Sequence, residues 1–265
     1  MRHQGYGKGP LGGRDIGRFV ADGFIRLEAA FPRELAEAGR AILWRATGCD
    51  PEDPRSWTRP VIRLGHHAEA PFRAAANTPV LHAAFDQLVG PGRWRAPAGL
   101  GSFPIRFPSE EEPGDAGWHV DASFGTETPD FMAWRVNLRS RGRALLLLFL
   151  FSDVGEADAP TRIRVGSHRD IARQLAPAGE AGLSLRELAA DGFAGSAQRA
   201  EALATGRAGD VYLCHPFLVH AAQQHRGRAP RFLAQPPLLP TEAWAAGPEG
   251  GESPVERAIR EALGG

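Results

Sequence analysis

The stretch GWHVDASF, Gly117–Phe124, places His119 and Asp121 two residues apart among small and apolar neighbours. On an extended strand alternate side chains share a face, so His119, Asp121 and Ser123 point one way and Trp118, Val120 and Ala122 the other. An imidazole and a carboxylate leaving the backbone in parallel suit two adjacent positions on one metal ion. A second H-x-D, His168 and Asp170 in GSHRDIARQL, follows Ser167 at a helix-cap position and runs into helical sequence, so it reads as a capped turn. His67 and Glu69 in GHHAEAP lack strand-like alternation and read as a solvated loop.

A third ligand is sought downstream, where GDVYLCHPFLVHAAQQHRGRAPRFLAQPPL carries His215, His220 and His225, then Arg226, Arg228 and Arg231. His215 and His220 are an odd number of residues apart and face opposite ways on an unbroken strand, so spacing alone does not choose between them. Only Arg231 opens a new apolar strand after Pro230, which favours the pair His220 and Arg231 and leaves His215 as a core or supporting histidine. Two histidines and a carboxylate, with three positions left open, form the facial triad of non-heme Fe(II) oxygenases. The open face accommodates a 2-oxo acid and dioxygen, and the far carboxylate of 2-oxoglutarate calls for a buried planar fork of donors, which arginine supplies.

The elements that must position these residues follow from pattern. RDIGRFVADGFIRL predicts a helix running into a strand, and FPRELAEAGRAILW predicts a helix started by Pro32. In NTPVLHAAFDQLVGPG, Thr78 caps, Pro79 occupies the first turn, Leu81, Ala84, Phe85 and Leu88 share a face, and Gly90 ends the helix. From Gly99 to Leu239 come short strand-like runs, among them GSFPIRF, GWHVDASF, FMAWRVNL, ALLLLFLF and TRIRVG, which suggest a sandwich or barrel. A helical insertion is expected at about 170–206, and SPVERAIREALGG has Ser253 and Glu256 in capping-box register. A single domain is expected: an N-terminal strand and helical buttress over 1–98, a catalytic core over 99–240 and a tail helix within 241–265.

Composition narrows the function further. Zero formal net charge and a pI near 7.1 give no bulk attraction to nucleic acid or to an anionic membrane. Lys8 is the only lysine, which argues against Schiff-base, pyridoxal phosphate and P-loop chemistry. Cys49 and Cys214 have neither zinc-knuckle nor C-x-x-C spacing and point to a reducing compartment. The apolar run Ala144–Phe151 is too short to span a bilayer and the N-terminus lacks an apolar signal core, so a cytoplasmic location is expected. No G-x-S-x-G elbow is present.

In this order, GWHVDASF, DAPTRIRVGSHRD and GDVYLCHPFLVHAA…APRF closely resemble the phytanoyl-CoA dioxygenase family of Fe(II)/2-oxoglutarate oxygenases, and FVADGFIRLEAAFPRELAEA is similar to that family's N-terminal segment. The resemblance implies a mainly β protein with flanking helices, a double-stranded β-helix (jelly roll, cupin-like). It implies metal ligation by His119, Asp121 and His220, with Arg231 holding the 2-oxoglutarate C5 carboxylate, Arg106 facing the cosubstrate and Asn137 lining the same cavity. The activity implied is hydroxylation of a small molecule with release of succinate and CO2; Asp121 stands where halogenating relatives carry a small residue. One departure is Ala222, where many members carry a serine that assists the C5 carboxylate. Trp118, Phe124 and Trp134 are candidates to wall the cavity, Gly166–His168 to shape a nearby loop, and the Ser109–Gly117 loop and the insertion to select the substrate. Two other classes fit the same ligands: a jelly-roll binding protein without turnover, and a zinc-dependent hydrolase or cupin-type isomerase. Substrate and oligomeric state are left open.

Overall fold

The computed structural model describes residues 9–140, 142–241 and 253–264; Lys8 and the first part of the expected 241–265 tail lie outside the described residues. Helix α1 (Gly13–Asp22) buries Ile16, Phe19 and Val20 and ends at Gly23, whose φ of 86° is open to glycine without strain. The chain then enters β1 (Phe24–Leu27). Helix α2 (Arg33–Thr47) starts behind Pro32 as its N-cap. After β2 (Val61–Leu64) come α3 (Ala70–Ala76) and α4 (Pro79–Leu88), the latter capped by Thr78, whose Oγ accepts from the Leu81 amide at 3.4 Å.

The strands β3 (Phe103–Arg106), β4 (Arg135–Val136), β5 (Leu145–Leu150) and β6 (Arg162–Arg164) lead into helix α5 (His168–Leu175). Then follow β7 (Leu183–Ser184), helix α6 (Leu185–Leu188), β8 (Glu201–Leu203), β9 (Val211–Cys214), β10 (His220–Ala221), β11 (Leu233–Ala234), β12 (Pro237–Leu238) and helix α7 (Pro254–Leu263). Every pairing is antiparallel. The larger sheet has the order β1-β9-β5-β11 with β12 also on β5, and a second sheet has the order β10-β6-β8.

The uninterrupted apolar run of β5 is explained by burial on both faces. Leu145, Leu147 and Phe149 enter the cluster shared with the helices, while Leu146, Leu148 and Leu150 enter a second cluster with Ile163, Ala204, Leu218 and Leu233 between the sheets. This is a jelly roll with helices outside one sheet, as the resemblance implied.

Four local expectations need correction. GWHVDASF is not a continuous strand: His119 bridges His220 and Phe124 bridges Arg135, with irregular backbone between. The 170–206 insertion is only partly helical, because β8 is claimed by β6 as its outer partner and β7 by β4. Ser167 does not cap α5 with its side chain; its Oγ instead accepts from the Val219 amide at 2.9 Å. His67 is less free than a solvated loop would leave it, since it bridges Leu100 and packs on Phe72 and Phe103 at 5.3 and 5.6 Å. Ser253 and Glu256 form the expected capping box at the start of α7.

Candidate metal centre

His119 and His220 face each other across an antiparallel bridge, and their rings lie 4.3 Å apart between centroids. The Nδ1 of His119 donates to the Gly117 carbonyl at 2.9 Å and that of His220 to the Leu218 carbonyl at 3.0 Å. A carbonyl can only accept, so the proton sits on Nδ1 in each ring and the Nε2 lone pair is left for a metal. The Nε2 of His220 is buried with no hydrogen-bond partner. Asp121 completes the set: one ligand atom from each of His119, Asp121 and His220 lies within 4.8 Å of the others. Burial, then the neighbouring His119, pushes His220 down to about 4, keeping it neutral. Burial opposes ionisation of Asp121, but the Arg143 guanidinium and then the two imidazoles outweigh it and hold the carboxyl below its usual range.

These atoms sit in the wall of a cavity of about 830 Å3. Arg231 and Arg106 line it too, and they form a second antiparallel bridge, exchanging backbone hydrogen bonds of 2.8 and 3.1 Å. Arg231 is 1% exposed; it donates to the carbonyls of Ala159 and Pro104, while its Nε and that of Arg106 are buried without a partner. Burial, then the like charge of Arg106, lowers the proton affinity of Arg231, so a carboxylate placed here relieves a buried cation. Ala222 lines the same cavity.

Other expected residues are placed elsewhere. Asn137 is fully buried with Nδ2 donating to the Glu180 carbonyl at 2.9 Å; it is not among the cavity-lining residues, because the claim of the insertion on its amide turns it away. Phe124 and Trp134 do not line the cavity, whereas Trp118 does, beneath the guanidiniums of Arg162 and Arg164 at 4.5 and 4.2 Å. His215 is buried against His168 at 4.8 Å and is no part of the metal group. Ser167 of the GSH motif holds the chain one residue before His220, so that motif shapes the strand carrying the distal ligand.

Three residues escaped the sequence reading. Asp115 accepts from Arg106 at 2.7 and 2.9 Å and pairs with Arg63, and Arg143 lies 3.2 Å from Asp121 Oδ2. The arginine-rich composition hid two of them, and Asp115 sat in a loop without pattern. Phe131, Met132, Leu185, Ala189 and Phe193 supply an apolar part of the cavity lining.

A jelly roll carrying two imidazoles and a carboxylate beside a buried arginine, together with the family match that follows, makes this a 2-oxoglutarate-dependent non-heme iron oxygenase. The family profile described as phytanoyl-CoA dioxygenase (PhyH) matches residues 19–233, and the chain belongs to that family. Among solved structures, HygX from Streptomyces hygroscopicus with nickel and 2-oxoglutarate bound aligns at a TM-score of 0.53 and 20% identity, covering 85% of each chain. EctD from S. alaskensis with 2-oxoglutarate and 5-hydroxyectoine aligns at 0.57 and 21% identity, covering 89% of this chain and 77% of that one. SnoK, a non-heme alpha ketoglutarate dependent carbocyclase from nogalamycin biosynthesis, aligns at 0.56 and 17% identity over 89% of this chain and 86% of its own. At these identities the likeness carries the fold. No curated protein sequence matches the chain.

Proposed function

We propose that the protein hydroxylates an unactivated C–H bond of a small molecule, with His119, Asp121 and His220 holding Fe(II) and Arg231 holding the distal carboxylate of 2-oxoglutarate. The reading rests on one observation: two Nδ1-protonated imidazoles and a carboxylate converge in a cavity that also contains a buried arginine with an unpartnered Nε. The bound metal and cosubstrate supply an oxidising power that side chains lack. The chain's own part is to fix the donors, to draw the cosubstrate to one end of the cavity through Arg231, and to keep water from the reacting carbon with its apolar lining.

That lining favours a substrate with an apolar portion lying against Phe131, Met132 and Leu185. The two carboxylates lining the cavity are already matched, Asp115 with Arg106 and Arg63, and Asp121 with Arg143. No acidic group among the described lining residues is left to receive a cationic substrate. Succinate release, with a panel of apolar acids, neutral compounds and amines added in turn, tests this. Release that depends on Fe(II), dioxygen and 2-oxoglutarate and is stimulated by apolar members supports it. Hydrolysis under anaerobic conditions, or preference for an amine, would count against it.

A further inference from the structure

The position of Arg143 follows from an unusual closeness of two backbones. A Cβ on Gly142 would stand 1.8 Å from the Ser123 carbonyl oxygen, so only glycine lets the chain entering β5 lie this close to Ser123. The next residue, Arg143, reaches across this contact, with Nη2 3.4 Å from the Ala122 carbonyl and Nη1 3.2 Å from Asp121 Oδ2. The other oxygen of that carboxylate, Oδ1, lies 3.9 Å from His220 Nε2, on the side of the metal ligands. The two oxygens are thereby divided, one toward the imidazoles and one toward a guanidinium.

We infer that Arg143 is a positioning residue that makes Asp121 a one-oxygen ligand. The inference rests on the oxygenase reading only for its consequence, not for its geometry. A carboxylate facing a divalent cation can bind through one oxygen or both. Binding through both would occupy a position needed by one of the two reactants, since three open positions must take a chelating 2-oxo acid and dioxygen. Arg143 sets a positive charge 3.2 Å from Oδ2 and so disfavours turning that oxygen toward the metal. Its side chain is 12% exposed, so solvent competes little for the pair; Nε and Nη1 are both buried without a hydrogen-bond partner, so the link to Oδ2 is an ion pair at 3.2 Å rather than a hydrogen bond. Arg143 is therefore part of the site although it touches no reacting atom.

The test compares wild type, Arg143→Leu and Arg143→Gln, each loaded with Ni(II) alone, by crystallography or X-ray absorption. One Asp121 oxygen on the metal is expected in wild type and two in Arg143→Leu. Arg143→Gln, which keeps a donor, is expected to restore one-oxygen ligation even if the leucine variant folds poorly. With metal saturating and oxygen excluded, 2-oxoglutarate affinity is expected to fall about 10- to 100-fold in Arg143→Leu and to recover in Arg143→Gln. One-oxygen ligation in all three proteins, or 2-oxoglutarate affinity unchanged in Arg143→Leu, would overturn the inference. Wild type that binds Ni(II) through one Asp121 oxygen yet ignores 2-oxoglutarate would overturn the oxygenase reading while upholding the role of Arg143.

Discussion

His119 and His220 exchange both backbone hydrogen bonds, each 2.9 Å, although their strands lie a hundred residues apart in the chain. The bridge sets two side chains on adjacent strands at the distance a shared ligand requires, and the Nδ1 bond of each ring to a carbonyl two residues earlier fixes its rotation. The same device recurs at Arg106 and Arg231. The two histidines and the two arginines are thus carried on paired backbone, while Asp121 lies on the irregular stretch between the His119 and Phe124 bridges.

Replacing Asp121 or His220 by alanine is expected to lower Fe(II)-dependent 2-oxoglutarate turnover by at least about 100-fold, because loss of a ligand costs no less than loss of its outer partner. Circular dichroism is expected to report a folded barrel. Asp121→Ala also strands the Arg143 cation, so Asp121→Asn is the gentler control. Full activity in these variants would remove them from the metal site.

Arg231→Leu is expected to weaken 2-oxoglutarate binding by roughly 2–4 kcal/mol, about 30- to 1000-fold, as loss of one partner of a buried charge pair does. Ala222→Ser adds a hydroxyl in the same cavity and is expected to tighten binding a few-fold, the worth of one hydrogen bond of about 0.5–1.5 kcal/mol. Titration of the metal-loaded proteins with 2-oxoglutarate measures both. Unchanged affinity in Arg231→Leu would pass the role to Arg106.

Asp115 places a negative charge against Arg106 and Arg63 in a cavity read as receiving a dicarboxylate. Asp115→Asn is expected to tighten 2-oxoglutarate binding by roughly fivefold or more, since two like charges about 15 Å apart at an effective dielectric near 20 repel by about 1 kcal/mol and closer ones by more. Weaker binding instead would mean that Asp115 acts chiefly by aiming Arg106.

His168 and His215 pack against each other at a tilt in the interior, and burial drives His168 down to about 3 and His215 well below its ordinary value. Their folded values are depressed, so below the ordinary value of 6.5 the unfolded chain takes up protons that the native state refuses. Stability is unaffected by this pair above that pH and falls as pH drops from 6.5 toward 3, by about 1.4 kcal/mol per pH unit for each histidine. Denaturant midpoints between pH 7.5 and 4.5, above the range where carboxylates dominate, report the slope. His168→Leu is expected to lower stability at neutral pH and flatten that slope; an unchanged slope would assign it to other groups.

The legible part of the site was local chemistry. His119 and Asp121 announced themselves as two ligand types among small neighbours, and His220 was separable from His215 because Arg231 opened an apolar strand. The helices were legible where one apolar face and a cap coincided, as at Thr78 and Ser253. What was misread depended on partners. Ser167 was assigned to its own helix, but the Val219 amide takes its hydroxyl; Asn137 was assigned to the cavity, but the Glu180 carbonyl takes its amide.

The sequence by itself determined which groups could hold a metal, which arginine could meet a carboxylate, and that Ala144–Phe151 is a short strand-like run, because residue type and apolar pattern are properties of short segments. Only the tertiary structure decided that Arg143 divides the oxygens of Asp121 and that Asp115 stands between Arg106 and Arg63. Those relations are distances between segments far apart in the chain, and among so many arginines nothing local marks the ones that folding carries to the same cavity.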